Sequence, residues 1–135
     1  MQRPRPFVVH EDDCELEGWS DPAHGPVRWR TLVSADRTPT EALTVGVVEI
    51  DAAEAGDSVV STPHRHAQAE VYYVLSGRGV VTIDGTDHPV DPGSTVFIPG
   101  GAAHRTRSLG PGSLRLLYAF AADSFEEIRY EFGET

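Results

Sequence analysis

The stretch VYYVLSGRGVVTIDGTDHPVDPGSTVFI (residues 71–98) decides the fold class of this chain. Turn sequences interrupt it at short intervals, and Asp84-Gly85 between two β-compatible runs is a strong signal for a tight hairpin. Short strands with regular turns between them predict an all-β sandwich or barrel. The apolar runs that we interpret as strands in this stretch are 71–75, 79–83, 88–90 and 95–98.

The same pattern continues on both sides of this stretch. Five further runs are compatible with strands, at 28–33, 43–50, 59–61, 104–108 and 114–120. At the end of the chain two interpretations remain open, because residues 123–127 fit a short capped helix whereas 128–132 fit a final strand. Residues 1–26 are irregular and contain several prolines, so we interpret them as an N-terminal arm and residues 27–135 as a single barrel domain.

The composition excludes some classes of partner. Of the 135 residues, 39% are hydrophobic, which is enough for one modest core. A balance of 21 acidic against 11 basic residues gives a net charge of −10, and an acidic surface repels the phosphates of nucleic acids. No apolar run approaches the length of a membrane span, and the single cysteine, Cys14, cannot form an intrachain disulfide. We therefore expect a cytoplasmic protein that binds neither nucleic acid nor membranes.

Two histidines and a glutamate are spaced so that they share one face of the chain. The stretch TPHRHAQAEVYY (residues 62–73) carries His64, His66 and Glu70. Residues i and i+2 of a strand point to the same side, so the two imidazoles project together, and Glu70 stays in phase beyond a small bend at 67–69. Two solvent-exposed histidines would give the same spacing, so this segment alone does not establish a metal site.

A second segment supplies a third imidazole. In GSTVFIPGGAAH (residues 93–104) the Pro-Gly-Gly turn delivers His104 to the start of a strand. Three imidazoles and one carboxylate suit a divalent Fe, Mn, Ni, Co or Zn ion. Four protein ligands leave open positions on a six-coordinate ion, which is typical of a catalytic rather than a structural site. We therefore predict that His64, His66, Glu70 and His104 bind one divalent transition metal ion.

Together the two segments resemble the motifs of the cupin family. The residues that match the first motif are Gly56, His64, His66, Glu70 and Gly77, with a longer spacer than usual after Gly56. Those that match the second are Gly93, Pro99, Gly101 and His104, with Ser108 in place of the usual asparagine. The resemblance covers residues 43–120. It implies a double-stranded β-helix (jelly-roll barrel) with the metal inside the barrel mouth, and a homodimer is the expected assembly.

Tyr72 is the candidate catalytic residue beside Glu70. It shares the inward phase of Glu70, while Tyr73 points outward. A nearby divalent cation favours the phenolate, which could take a proton from a bound substrate. This segment is also similar to that of small cupin lyases, including those that cleave dimethylsulfoniopropionate, in which the tyrosine acts as the base. A plain barrel-wall aromatic is the alternative interpretation of Tyr72, and it is the default for Tyr118 in the run 114–120.

Three functions are compatible with these residues. The first is a metal-dependent enzyme of the lyase or isomerase type, in which the metal is a Lewis acid and Tyr72 and Glu70 are the catalytic residues. The second is an Fe(II)-dependent dioxygenase at the same site. The third is a non-catalytic barrel that binds a small ligand, since a fold does not determine a function. In each case the partner is a small molecule, and we favour the lyase or isomerase.

Overall fold

The computed structural model describes residues 3–19, 27–52 and 63–132. These ranges contain eleven β-strands and two short 3-10 helices, at Glu11–Asp13 and Phe125–Glu127. Among the helices described, none has the length and apolar character needed to cross a membrane. The strands are β1 (Leu16–Trp19), β2 (Val27–Val33), β3 (Thr44–Ile50), β4 (His64–Arg65), β5 (Glu70–Ser76), β6 (Gly79–Ile83), β7 (Thr86–Val90), β8 (Thr95–Ile98), β9 (His104–Ser108), β10 (Leu114–Phe120) and β11 (Glu131–Phe132).

The strands form two antiparallel sheets that face each other as a double-stranded β-helix. The six-stranded sheet has the order β1-β2-β3-β10-β5-β8, and the five-stranded sheet has the order β11-β4-β9-β6-β7. The predicted Asp84-Gly85 hairpin is confirmed between β6 and β7, with φ angles of 47° and 83° at the two turn residues. Positive φ at both central positions is the geometry that matches the twist of a tight hairpin, and glycine adopts it without strain.

Alternation along the strands puts one face of each sheet into a common interior. In β10 every second side chain is buried, from Leu114 to Phe120, and β9 shows the same alternation from His104 to Ser108. Full burial of an aliphatic side chain contributes about 1.5–3 kcal/mol, so this interior accounts for much of the stability. The buried side chains of the core cluster are Tyr72, Val74, Val81, Val90, Val96, Ile98, Ala102, Leu114, Leu116, Tyr118, Phe120, Ala122 and Ile128.

The two ends of the chain differ in part from the sequence-based expectation. Residues 16–19, which we assigned to the irregular arm, form β1 and pair with β2 at the edge of the six-stranded sheet. The sequence LEGW gave little signal for a strand because it is short and contains a glycine. At the other end each interpretation is only partly correct, since Phe125–Glu127 is a 3-10 turn without a side-chain cap from Ser124 and the final strand, β11, covers only Glu131–Phe132. The predicted strand at 59–61 and Gly56 lie outside the described residues, and the boundary at residue 26 stays a prediction.

Candidate metal centre

Backbone pairing brings the two histidine-bearing segments together at one end of the barrel. His64 in β4 lies directly opposite His104 at the start of β9, and His66 follows β4 by one residue. One ring nitrogen from each of His64, His66 and His104 can be chosen so that all three lie within 4.8 Å of one another. The i, i+2 spacing therefore places both imidazoles of the first segment on the same side, as the sequence indicated. These three histidines form a group that could hold a metal ion.

The Pro-Gly-Gly turn fixes the second segment against the first. The N–H of Gly101 donates to the carbonyl oxygen of His66 at 2.7 Å. A Cβ atom at Gly100 would lie 2.2 Å from the carbonyl oxygen of Ala67, and Gly101 has a φ of 82°. Only residues without side chains allow the turn to approach the 67–69 bend this closely and to reverse direction there. The glycines therefore set the distance between the first two histidines and His104.

The ring nitrogens that face the centre are lone-pair acceptors. Nδ1 of His66 lies 2.9 Å from the carbonyl oxygen of Gln68, and Nδ1 of His104 lies 2.9 Å from that of Ala102. A carbonyl oxygen can only accept, so in the neutral imidazoles Nδ1 carries the hydrogen and Nε2 carries the lone pair. This is the arrangement by which metal-binding histidines are usually oriented. Both Nε2 atoms are buried and have no hydrogen-bond partner in the described part of the chain.

Glu70 directs a third acceptor at the same point. Its Oε1 atom lies 3.3 Å from Nε2 of His66 and 3.3 Å from Nε2 of His104. The three residues are nearly inaccessible to solvent, with 4%, 4% and 1% exposure for His66, Glu70 and His104. Buried acceptors that face one another without a donor are destabilising, and a cation would satisfy all of them at once. The donor set therefore fits a divalent transition metal, and Glu70 as its fourth protein ligand stays a prediction.

Three tyrosines lie around the charge of Glu70. Tyr72 is buried and Tyr73 is 45% exposed, which confirms the predicted inward and outward phases. Burial raises the pKa of the Tyr72 hydroxyl well above its usual value, and the negative charge of Glu70 raises it further, whereas the facing Thr106 hydroxyl acts to lower it. Burial, followed by the charge of Glu70, also raises the pKa of Tyr130. Burial likewise raises the pKa of Tyr118, where Glu70 acts in the same direction. In the metal-free protein these phenols are therefore neutral near pH 7.

The C-terminal segment closes one side of the centre with aromatic rings. The ring centroid of Tyr130 lies 5.3 Å from that of His64 and 5.5 Å from that of His66. Phe132 in β11 pairs with His64 across the strands, and Phe120 packs against His66 at 5.0 Å. Sequence analysis did not include Tyr130 in the site. The alternation of Ile128, Tyr130 and Phe132 was a signal for a half-buried strand, but it did not show which surface the strand would cover.

The remaining polar candidates lie outside the centre or serve other contacts. Arg105 and Arg107 alternate with the buried residues of β9, so they take the outward phase. Ser108, which replaces the motif asparagine, donates from its hydroxyl to the carbonyl oxygen of Gly112 at 2.9 Å and accepts from the N–H of Gly110 at 3.2 Å. It therefore stabilises the 109–113 turn and does not contact the metal centre, so its substitution leaves the proposed ligands unchanged.

Comparison with known proteins is consistent with this arrangement. The family model for the cupin domain matches residues 49–120. The dimethylsulfoniopropionate lyase DddW of Ruegeria pomeroyi is 40% identical over 127 residues, which cover 94% of this chain and 80% of that protein. The polyketide cyclase RemF from Streptomyces resistomycificus has a TM-score of 0.75 at 21% identity, covering 96% of this chain and 87% of that chain. A chain from the structures of the DMSP lyases RdDddP and RnDddQII has a TM-score of 0.70 at 20% identity, covering 89% and 62%. The two structural likenesses concern the fold.

Proposed function

The chain belongs to the cupin domain family, and from this premise we propose that it is a metal-dependent lyase. Its proposed substrate is a small sulfonium carboxylate of the dimethylsulfoniopropionate type. The observation that carries the proposal is the convergence of buried, unpartnered acceptors from His66, Glu70 and His104 beside the phenol of Tyr72. The 40% identical lyase, aligned over nearly the whole chain, supports the substrate class.

The chemistry of such a substrate defines what the site must do. Dimethylsulfoniopropionate carries a carboxylate at one end and a positively charged sulfur at the other. In the elimination, the bond from hydrogen to the carbon next to the carboxylate breaks, and its electron pair forms a carbon–carbon double bond. The carbon–sulfur bond breaks, and the sulfur leaves with the electron pair as dimethyl sulfide. The other product is acrylate, so the enzyme must accept one proton in each turnover.

Tyr72 is the proposed proton acceptor. When bound, a divalent ion would polarise the substrate carboxylate and favour the anionic form of a nearby phenol. Burial and the charge of Glu70 raise the pKa of Tyr72, so the phenol stays protonated as long as no divalent ion is bound beside it. Thr106 acts in the opposite direction and lowers the pKa of the same hydroxyl. The burial of Tyr72 supports this role, because a buried acceptor takes the proton away from bulk water.

The surroundings of the site fit a substrate with a positively charged end. No arginine of the described residues is buried as a whole side chain, although the Nε atom of Arg105 is buried, and the sequence contains no lysine. The aromatic rings of Phe120, Tyr130 and Phe132 lie beside the histidines. The faces of such rings attract cations, with a contribution of about 2 kcal/mol when the cation is desolvated. The sulfonium end of the substrate would lie against these rings and its carboxylate end toward the metal.

The experiment combines metal analysis with a product assay. The protein is purified without added metal, and its Fe, Mn, Ni, Co and Zn contents are measured together with dimethyl sulfide release from dimethylsulfoniopropionate. We expect about one metal equivalent and lyase turnover. His64→Ala should lose both, whereas the control His88→Ala, at an exposed position of β7, should lose neither. A full metal equivalent in His64→Ala would contradict the ligand assignment.

The same assay separates the other two functions. Oxygen consumption by the iron-loaded protein with a small organic substrate, in the absence of lyase turnover, would indicate the dioxygenase. Tight binding of the substrate without turnover, when the protein is loaded with each of the five metals in turn, would indicate the non-catalytic barrel. Neither alternative has an observation of its own in its favour, and the lyase has the similarity to DddW.

A further inference from the structure

The atoms proposed to bind the metal are almost closed off from solvent, although an ion and a substrate have to reach them. His66, Glu70 and His104 are 4%, 4% and 1% exposed. His64 in β4 is the most accessible of the four proposed ligands, because it is only partly buried. A substrate that reacts at a metal ion has to contact that ion. The wall of the centre beside His64 is therefore the part that must move to admit a ligand.

The C-terminal segment lies over this side of the centre. Residues 129–132, which we call the C-terminal strap, place two aromatic rings against the histidines. The ring centroid of Tyr130 is 5.3 Å from that of His64 and 5.5 Å from that of His66. The centroid of Phe132 is 6.0 Å from that of His64. The strap therefore covers the ligand that is otherwise the most accessible to solvent.

The attachment of the strap to the sheet is short. β11 joins β4 through two residue pairs, Glu131 with Arg65 and Phe132 with His64. Both residues of β11 are exposed, and Phe132 is 46% exposed. A strand with two cross-strand pairs and little buried apolar surface has a low free energy of local opening. The strap can therefore leave β4 while the barrel stays folded.

The neighbouring walls are held by contacts that also position the ligands. The N–H of Gly101 donates to the carbonyl oxygen of His66 at 2.7 Å. Ala103, directly before His104, donates from its N–H to the Asp84 carboxylate at 3.0 Å. The carbonyl oxygen of Ala103 accepts from the N–H of Asp84 at 2.8 Å. Opening at either of these places would displace a histidine as well, whereas opening of the strap would not.

The strap extends from a base that is fixed to the body of the protein. The N–H of Phe125 donates to the Ser34 hydroxyl at 2.9 Å. The carbonyl oxygen of Asp123 accepts from the N–H of Ala35 at 2.7 Å. Ile128, directly before the strap, is 7% exposed and belongs to the core cluster. Movement of the chain beyond Ile128 therefore uncovers the histidines without disturbing the core.

We propose that the C-terminal strap is a gate over the metal centre. In the closed position, which the structure shows, Tyr130 and Phe132 cover His64. In the open position β11 leaves β4, and an ion or a small molecule reaches the ligands past His64. Opening and closing of short segments controls access to many closed active sites. The gate concerns access alone and does not depend on which reaction the site catalyses.

A disulfide between β4 and β11 tests the gate by locking it. Arg65 and Glu131 lie directly opposite each other, and opposite Cα atoms of antiparallel strands are about 4.5–5.5 Å apart, a distance that a disulfide spans. The locking variant is Arg65→Cys with Glu131→Cys, made in a Cys14→Ser background because Cys14 is the single natural cysteine. The control is Thr82→Cys with Asp87→Cys in the same background. This opposite pair joins β6 and β7, at the other end of the sheet from β11.

The accessibility of the imidazoles is measured on metal-free protein. Diethyl pyrocarbonate transfers an ethoxycarbonyl group to an imidazole nitrogen with a free lone pair, and peptide mass spectrometry gives the rate at each histidine. In the reduced locking variant, His66 and His104 should react whenever the strap opens. Oxidation should lower both rates roughly tenfold or more, whereas exposed His88 in β7 should react equally in both forms. Oxidation of the control pair should leave the rates at His66 and His104 unchanged.

A second variant tests the gate in the opposite direction. Phe132→Ala removes a ring that lies against His64 in the closed position. Because aromatic contacts stabilise that position, the rates at His66 and His104 should rise about 2- to 10-fold. Phe97→Ala is the control, since it removes a ring that is 63% exposed on β8, and it should change neither rate.

Two results of the modification experiment would overturn the gate. Equal rates at His66 and His104 in the oxidised and reduced locking variant would show that the reagent reaches them by another route. Absence of reaction at both histidines in the reduced variant would show that the strap stays closed.

Turnover then connects the gate with the proposed lyase. The locking variant, loaded with metal before oxidation, should release dimethyl sulfide at roughly a tenth of the reduced rate or less, and reduction should restore the rate. Full turnover in the oxidised form would also contradict the gate. If oxidation protects the histidines as expected but the reduced protein releases no dimethyl sulfide, the gate is supported and the lyase proposal fails.

Discussion

The two ends of the barrel interior are equally closed to solvent but differ in their effect on stability. At one end, Val74, Val81 and Leu116 are 1%, 0% and 0% exposed and pack against other hydrocarbon groups. At the other end, His66 and Glu70 are each 4% exposed, yet the atoms they direct inward have no hydrogen-bond partner in the described residues. The apolar end stabilises the fold, and the polar end consumes part of that stability. This division allows the protein to keep unsatisfied acceptors ready for a ligand.

The largest effect should come from Tyr72→Phe, which changes the polar end without changing its shape. Removing a positioned proton acceptor should lower turnover about 10²- to 10⁴-fold while the bound metal is retained. Tyr73→Phe is the control, because the neighbouring phenol is 45% exposed on the outer face. Steady-state kinetics with metal analysis of the same samples checks this. Unchanged turnover in Tyr72→Phe would remove this residue as the base and leave only its packing role.

A core truncation at the apolar end should have the next largest effect, and on stability rather than on chemistry. Leu116 is fully buried in β10, so Leu116→Ala should lower the free energy of unfolding by about 2–5 kcal/mol. Leu117→Ala, one residue along the same strand and only partly buried, should cost clearly less. Urea denaturation of the three proteins measures both values. Loss of bound metal from folded Leu116→Ala would show that the two ends are not energetically separate.

Most of the fold could be predicted from the sequence because the strands are short, alternating and bounded by turns. The strands at 79–83, 95–98, 104–108 and 114–120 have the predicted bounds, since glycine and proline turns delimit them. β1 was not predicted, because a four-residue segment containing a glycine is stabilised by its neighbour β2 rather than by its own propensity. The pattern predicted one strand pairing, the Asp84-Gly85 hairpin, and the family resemblance implied the double-stranded β-helix without assigning the order of the other strands.

The site could be predicted only where spacing along a strand determines direction. The i, i+2 spacing was sufficient for His64 and His66, and the Pro-Gly-Gly turn for His104. Tyr130 was not predicted, because its contact with His64 depends on the path of the chain between β10 and β11.

Removal of the metal should have an intermediate effect that belongs to the polar end alone. A ligand present at 100 times its dissociation constant stabilises the folded state by about 2.7 kcal/mol. Treatment with a chelator should therefore lower the Tm of the wild type by roughly 10 °C. Leu116→Ala should show the same decrease from its lower starting value, because its cavity lies away from the ligands. Scanning calorimetry with and without chelator measures this, and an unchanged Tm would mean that no metal is bound in the folded state.

The smallest effect on stability is expected for Glu70→Gln. This variant is also the most direct test of the difference between the two ends. When both imidazoles of the metal-free protein are neutral, Oε1 of Glu70 is an acceptor that faces two further acceptors at 3.3 Å. The amide of glutamine can donate hydrogens to the same Nε2 atoms, and each hydrogen bond contributes about 0.5–1.5 kcal/mol. Glu70→Gln should therefore raise the stability of the metal-free protein by about 1 kcal/mol while it weakens metal binding.

The exposed Glu131→Gln in β11 provides the control, and it should change neither the stability of the metal-free protein nor its metal affinity. Denaturation of chelator-treated protein and metal titration measure the two quantities separately. Lower stability of metal-free Glu70→Gln would mean that the acceptors already have a donor without the metal. The polar end would then be a satisfied part of the core, and its readiness for a cation would need another explanation.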